Sequence, residues 1–94
     1  MGIAESGMAM AEMTRVMVSE LVDRPEDVSV VVGKDGGFVL LTVSVAPRDM
    51  GRLIGGGGKT VRSIKAILGA VATRRNVRWE LVILGEQPRE ERVS

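Results

Sequence analysis

The sequence predicts an α+β fold with the element order α-β-β-α-α-β. Three observations carry that reading. Apolar residues recur at helical spacing from Met10 to Leu21 and again from Val61 to Val71. Phe38 to Val45 and Val77 to Leu84 instead alternate with a period of two, which places every second side chain on one face of a strand. Finally, a short helix signal after Pro47 is separated from the second long one by four consecutive glycines, Gly55 to Gly58. A chain of 94 residues is expected to form one domain around one core.

Each element follows from local chemistry. Met1 to Gly7 is small and polar and is expected to be disordered, with the folded domain running from Met8 to Leu84. Gly2 and Ser6 fit the spacing of a myristoylation signal, but no basic cluster or second anchor follows, and the match is attributed to chance. In the first helix Met10, Met13, Met17 and Leu21, with Val16 beside them, form the expected core stripe. Asp23-Arg24-Pro25 ends that helix, because a proline disfavours helical geometry in the residue before it. Val28 to Val32 and Phe38 to Val45 pair as a hairpin, with Gly33 to Gly37 as a loop longer than the tightest type. Val39, Leu41, Val43 and Val45 face one way in the second strand, and Thr42 and Ser44 the other. Pro47 fits the first turn of a short helix that the glycines stop at about Leu53. The longer helix from Lys59 to Arg75 buries Val61, Ile64, Leu68 and Val71, flanked by Ile67. The last strand puts Val77, Trp79, Leu81 and Ile83 on one face, and Gly85 to Ser94 is a polar tail expected to be flexible.

Composition removes whole classes of chemistry. There is no cysteine or histidine, so thiolate catalysis, disulfides and the commonest metal ligands and general base are absent. No catalytic centre, metal or cofactor is expected, and a binding module fits better than an enzyme. No apolar run approaches the roughly 20 residues of a membrane span, and no signal-peptide pattern opens the chain, so a cytoplasmic location is expected. The net charge of +1 conceals a strong segregation. Met1 to Pro47 carries −4 and Trp79 to Ser94 carries −2, whereas Arg48 to Arg78 holds eight basic residues against Asp49 alone, a net +7. The positive field surrounds the glycine loop and points to an anionic partner for it.

The loop reads LIGGGGKTVRSI from Leu53 to Ile64. A phosphate loop of the form G-x-x-x-x-G-K-[ST] ending at Gly58-Lys59-Thr60 would need glycine at position 53, which is leucine. The dinucleotide pattern G-x-G-x-x-G fails as well, since its third glycine would fall on Thr60 or Val61. What remains is a helix, a four-residue glycine loop and a second helix. Its glycines permit close backbone approach, and the helix after them offers unpaired N–H groups to a phosphate.

On these residues the sequence resembles the KH (K-homology) RNA-binding domain: the apolar pair Leu53-Ile54, the Gly-x-x-Gly of Gly55 to Gly58, then Val61 and Ile64 along the next helix. The element order is similar to the type II, prokaryotic arrangement. LVDRPEDVSV (Leu21 to Val30) and VAPRDMGRLIG (Val45 to Gly55) look like the matching segments of the small bacterial stand-alone KH proteins of the KhpA type, over roughly Met8 to Leu84. The resemblance implies a three-stranded sheet with the helices packed on one face. It implies that Gly55, Gly56, Gly57 and Gly58 hold the backbone of about four single-stranded nucleotides. Lys59, Arg62 and Arg52 would neutralise phosphates, and Ile54, Val61 and Ile64, with Val43 or Val45, would line an apolar groove for bases. It further implies self-association, a complex with a larger KH-containing RNA-binding protein, and a part in RNA-chaperone activity, cell-wall synthesis and cell shape. One departure stands out: the two variable loop positions, which in this family usually include a basic or long polar residue, are both glycine here. Weak, salt-sensitive binding with little sequence preference is therefore expected. The rival reading is a KH-fold protein-interaction adaptor with little RNA binding of its own.

Overall fold

The computed structural model describes residues 2–85, so Met1 and, of the tail expected from Gly85, residues 86–94 lie outside the described residues. Helix α1 (Ile3–Leu21) leads through a 3₁₀ turn at Pro25–Asp27 into strands β1 (Ser29–Asp35) and β2 (Phe38–Ser44). A second 3₁₀ turn at Pro47–Asp49 opens α2 (Met50–Ile54), and after the glycine loop come α3 (Lys59–Arg75) and β3 (Arg78–Ile83). The sheet order is β1-β2-β3, antiparallel in the first pair and parallel in the second. The connections dictate this: a tight hairpin can only reverse the chain, whereas a crossover through two helices returns it in the same direction.

The period-two pattern in β2 becomes one buried face. Val39, Leu41 and Val43 are buried, joined by Leu81 and Ile83 of β3, while Val31, Leu40 and Val82 are exposed on the other side. All the helical core residues meet that first face: Met10 and Val18 of α1, Leu53 of α2, and Val61, Ile64, Leu68 and Ala72 of α3. The helices therefore lie on one face of a three-stranded mixed sheet.

Three features differ from the sequence reading. First, α1 begins at Ile3, inside the stretch up to Gly7 expected to lack structure. Glu5 accepts a hydrogen bond from the Gly2 N–H at 3.3 Å, and the Ser6 N–H donates to the Gly2 carbonyl at 3.0 Å. Second, the buried stripe of α1 is Ser6, Met10, Thr14 and Val18, one residue every four, with Gly7 beside it. Met13 and Met17 are only half-buried, and Val16 and Leu21 are 51% and 39% exposed. Small residues at the centre of the face let the helix lie close on the sheet, and the Thr14 hydroxyl donates to the Met10 carbonyl at 2.7 Å, which removes the need for an outside partner. Third, the hairpin is of the tight two-residue kind. Asp35 pairs with Phe38, and Gly36 and Gly37 have φ of 58° and 86°, the positive values a type I′ turn requires.

Helix α3 spans the predicted residues, although Ala72 takes the inner position expected of Val71 and Ile67 is 47% exposed. It ends at Asn76, whose left-handed backbone (φ 60°) turns the Val77 N–H back onto the Ala72 carbonyl at 3.0 Å, while the Asn76 N–H donates to the Thr73 carbonyl at 3.1 Å.

One buried charge ties the layers together. Asp49 is fully buried, and its carboxylate oxygens accept from the N–H groups of Asp23 and Arg24, each at 3.0 Å. The link that follows α1 is thus fastened to the entry of α2. The Asp23 N–H chiefly holds the Asp49 carboxyl below its ordinary range, helped by the Arg24 N–H and the charges of Arg48 and Arg52, while burial acts the other way.

Two predictions follow from the packing. Leu68→Ala, at a site with no exposure, is expected to cost about 2–5 kcal/mol in a urea titration. Because the folded-state carboxyl of Asp49 titrates below its unfolded value, its stabilisation is present above the unfolded pKa and is lost as pH falls through the folded one. Thermal melts between pH 6 and pH 2 (about the span that brackets a carboxyl titration) should therefore show a fall in midpoint below the ordinary carboxyl pKa. That fall should be shallower in Asp49→Asn, whose midpoint at neutral pH should already be lower.

Candidate nucleic-acid interface

The glycine loop is shaped by its backbone. The Gly55 N–H donates to the Gly51 carbonyl at 2.8 Å and closes α2. Gly55 then turns through φ 77°, ψ 164°, a region essentially reserved for glycine. A Cβ there would stand 2.4 Å from Thr60 Oγ1 and 2.7 Å from the Thr60 N, so the first glycine is fixed by contact as well as by dihedral. The Gly58 N–H donates back to the Gly55 carbonyl at 3.0 Å, and Gly57 and Gly58 are both left-handed. Gly56 alone has an ordinary φ and open space around its α-carbon. Two exposed glycines, Gly56 and Gly57, thus form the tip immediately before α3, whose first N–H groups carry the positive end of the helix.

Lys59 and Arg62 stand on the first two turns of α3, exposed, and among the described residues neither forms an ion pair. The Arg62 Nη1 donates to the Gly57 carbonyl, and the Ser63 hydroxyl donates to that of Lys59 at 3.1 Å. Arg52 lies beside acids. Its guanidinium pairs with Asp23 at 3.1 Å and lies 3.9 Å from Asp49, so it is engaged with the acids at the start of α2.

The apolar residues expected in the groove divide into two sets. Val43 is only 1% exposed and sits on the covered face of the central strand, beneath the helices. Val61 and Ile64 are almost fully buried, while Ile54 and Val45 are half-buried. The open apolar furrow next to the first turns of α3 runs between α1 and α3, lined by Val16, Met17, Leu21, Thr60, Ile64 and Ile67. Of the predicted groove residues it contains Ile64 alone. Sequence reasoning missed three contributors: Thr60, which packs on Gly55; Asp49, whose carboxylate is an anchor; and the pair Val16 and Leu21, which lie off the buried stripe. The every-fourth-residue run of Ser6, Met10, Thr14 and Val18 was the signal for the last, but its small and polar members hid it. No helix among the described residues is long and apolar enough to cross a membrane.

Comparison with known proteins agrees with this fold. The family model described as KhpA/KhpB, KH domain matches residues 11–83. "RNA-binding protein KhpA" of Chlamydia pneumoniae is 37% identical over 78 residues, which cover 83% of this chain and 100% of that protein. The proteins of the same name from Clostridium perfringens and Leifsonia xyli subsp. xyli are 36% and 38% identical, covering 71% and 70% of this chain and 89% and 87% of their own lengths. The α+β order, the parallel β2–β3 pair joined through a helix, glycine loop and helix, and the match across nearly all the described residues give one conclusion: the chain belongs to the KhpA/KhpB family of KH domains.

Proposed function

We propose that the chain binds single-stranded RNA by gripping its sugar-phosphate backbone at Gly55 to Gly58. The observation that carries this reading is the pairing of an exposed, side-chain-free loop with two cations, Lys59 and Arg62, that no acid among the described residues neutralises. The segment around them is the strongly basic one of an otherwise acidic chain. Bare glycines admit a phosphate to the backbone, the α3 N-terminus adds its partial charge, and the two side chains supply full charges. Half-buried Ile54 and Val45 offer apolar surface to bases. The relatives named RNA-binding protein KhpA support the ligand class. Asp49, the one carboxylate near the loop in sequence, is occupied by two backbone N–H groups, which favours a binder over a catalyst. Arg52, paired with Asp23, is left out of the phosphate set.

A second contact is favoured by the furrow between α1 and α3. Val16, Leu21 and Ile67 are large apolar residues clustered at its surface, 51%, 39% and 47% exposed, and they suit a second copy of the chain or a larger KH protein. Pairing two weak RNA modules raises avidity without any new RNA contact, which is how so small a footprint serves an RNA-chaperone role in the cytoplasm.

Fluorescence anisotropy of a labelled single-stranded RNA across a salt series tests the grip. With two phosphates neutralised, log K is expected to fall by about 1.4 per tenfold rise in salt, at about 0.7 per phosphate for single strands. Gly56→Asp combined with Gly57→Asp should abolish binding without unfolding, because aspartate tolerates the left-handed backbone at position 57 better than most residues. Binding that survives both aspartates would place the RNA elsewhere. For the furrow, sedimentation equilibrium should show self-association that Ile67→Glu removes while far-UV circular dichroism stays the same.

A further inference from the structure

A loop of four glycines has no side chain to stiffen it and no charge of its own. Glycine populates both signs of φ in a free chain, so such a loop visits many shapes of which few can grip a phosphate. Affinity then falls in proportion to the competent fraction. Something outside the loop has to narrow that ensemble.

Arg62 is in place to do so. Its Nη1 donates to the Gly57 carbonyl across five residues of sequence. A Cβ built on Gly58 would lie 3.2 Å from the same nitrogen, so the guanidinium also lies against the loop's last residue. The side chain is exposed and, among the described residues, takes part in no ion pair that would compete for it. A guanidinium carries five N–H donors, and the bond to Gly57 engages one of them. Lys59, the other cation at the loop, makes no side-chain hydrogen bond to it among the described residues.

We propose that Arg62 is a positioning residue. It latches the glycine loop into one conformation through the Gly57 carbonyl and sets a positive charge at the loop's tip, the two tasks that side chains within the loop would otherwise perform. The consequence for RNA rests on the backbone-gripping reading above, but the latch itself is a property of the RNA-free chain.

The experiment separates the two. Backbone ¹⁵N order parameters at Gly56, Gly57 and Gly58 are measured without RNA, and anisotropy with a labelled oligouridine is measured across salt. The proteins compared are wild type, Arg62→Ala, Lys59→Ala, and Arg62→Ala combined with Gly56→Lys. Position 56 is chosen because it alone in the loop has both an ordinary φ and free space. In Arg62→Ala the loop order parameters are expected to drop from about 0.85 towards 0.6 or below with the melting midpoint unchanged. Oligouridine should bind about tenfold more weakly, and the salt slope should shrink by about 0.7. Lys59→Ala should lose the same slope while the loop stays rigid. The double variant should regain the slope, keep a mobile loop and remain weaker than wild type. Unchanged order parameters in Arg62→Ala, or equal mobilisation by Lys59→Ala, would overturn the latch. A wild-type protein that ignores oligouridine would overturn the RNA reading, and the order parameters would still decide the latch.

Discussion

The buried carboxylate of Asp49 is the constraint on which the arrangement depends. Burying an ionised carboxyl is costly unless its oxygens are satisfied, and here two consecutive backbone N–H groups, at Asp23 and Arg24, satisfy them. The donors come from the link that leaves α1, and the acceptor sits at the last residue before α2. One side chain thereby fixes where the first helix ends relative to where the second begins. Since α2 is a single short helix that runs directly into the glycine loop, its anchor also sets the loop's position. Arg52 reinforces the same junction by pairing with Asp23.

From that junction onward, backbone geometry takes over from side-chain chemistry. Gly55 has a dihedral pair only glycine adopts readily and leaves no room for a Cβ beside Thr60. Gly58 closes the turn and starts α3. Two of the four glycines thus hold the turn, and Gly56 and Gly57 stay exposed at its tip. The cost is a tip with no intrinsic stiffness or charge. Both are recovered from α3, whose register places Lys59 and Arg62 on its first two turns. The same register turns Val61 and Ile64 inward, so the helix that presents the cations is also held by the core.

The helical layer faces two ways. Its inner side is filled by the every-fourth-residue stripe of α1 and the apolar stripe of α3. Its outer side keeps Val16, Leu21 and Ile67 at the surface, next to the turn that carries Thr60. A protein contact on that furrow and an RNA contact on the loop would therefore be mechanically adjacent, because both bear on the first turns of α3.

Local chemistry by itself determined much of this protein. The alternation in Phe38 to Ser44, the span of α3, the glycine interruption and the concentration of positive charge are short-range patterns, and period and composition suffice to read them. Tertiary structure decided the rest. Which face of α1 is buried depends on how closely a helix can approach a sheet, and that favoured Ser6, Gly7 and Thr14 over the larger Met13 and Leu21. Whether Val43 lines a groove or fills the core depends on what covers the central strand. The role of Asp49 and the partner of Arg52 depend on residues about 25 and 30 positions away, brought together only by the fold. Periodicity reports which residues can share a face. Only packing decides which face is covered, and by what.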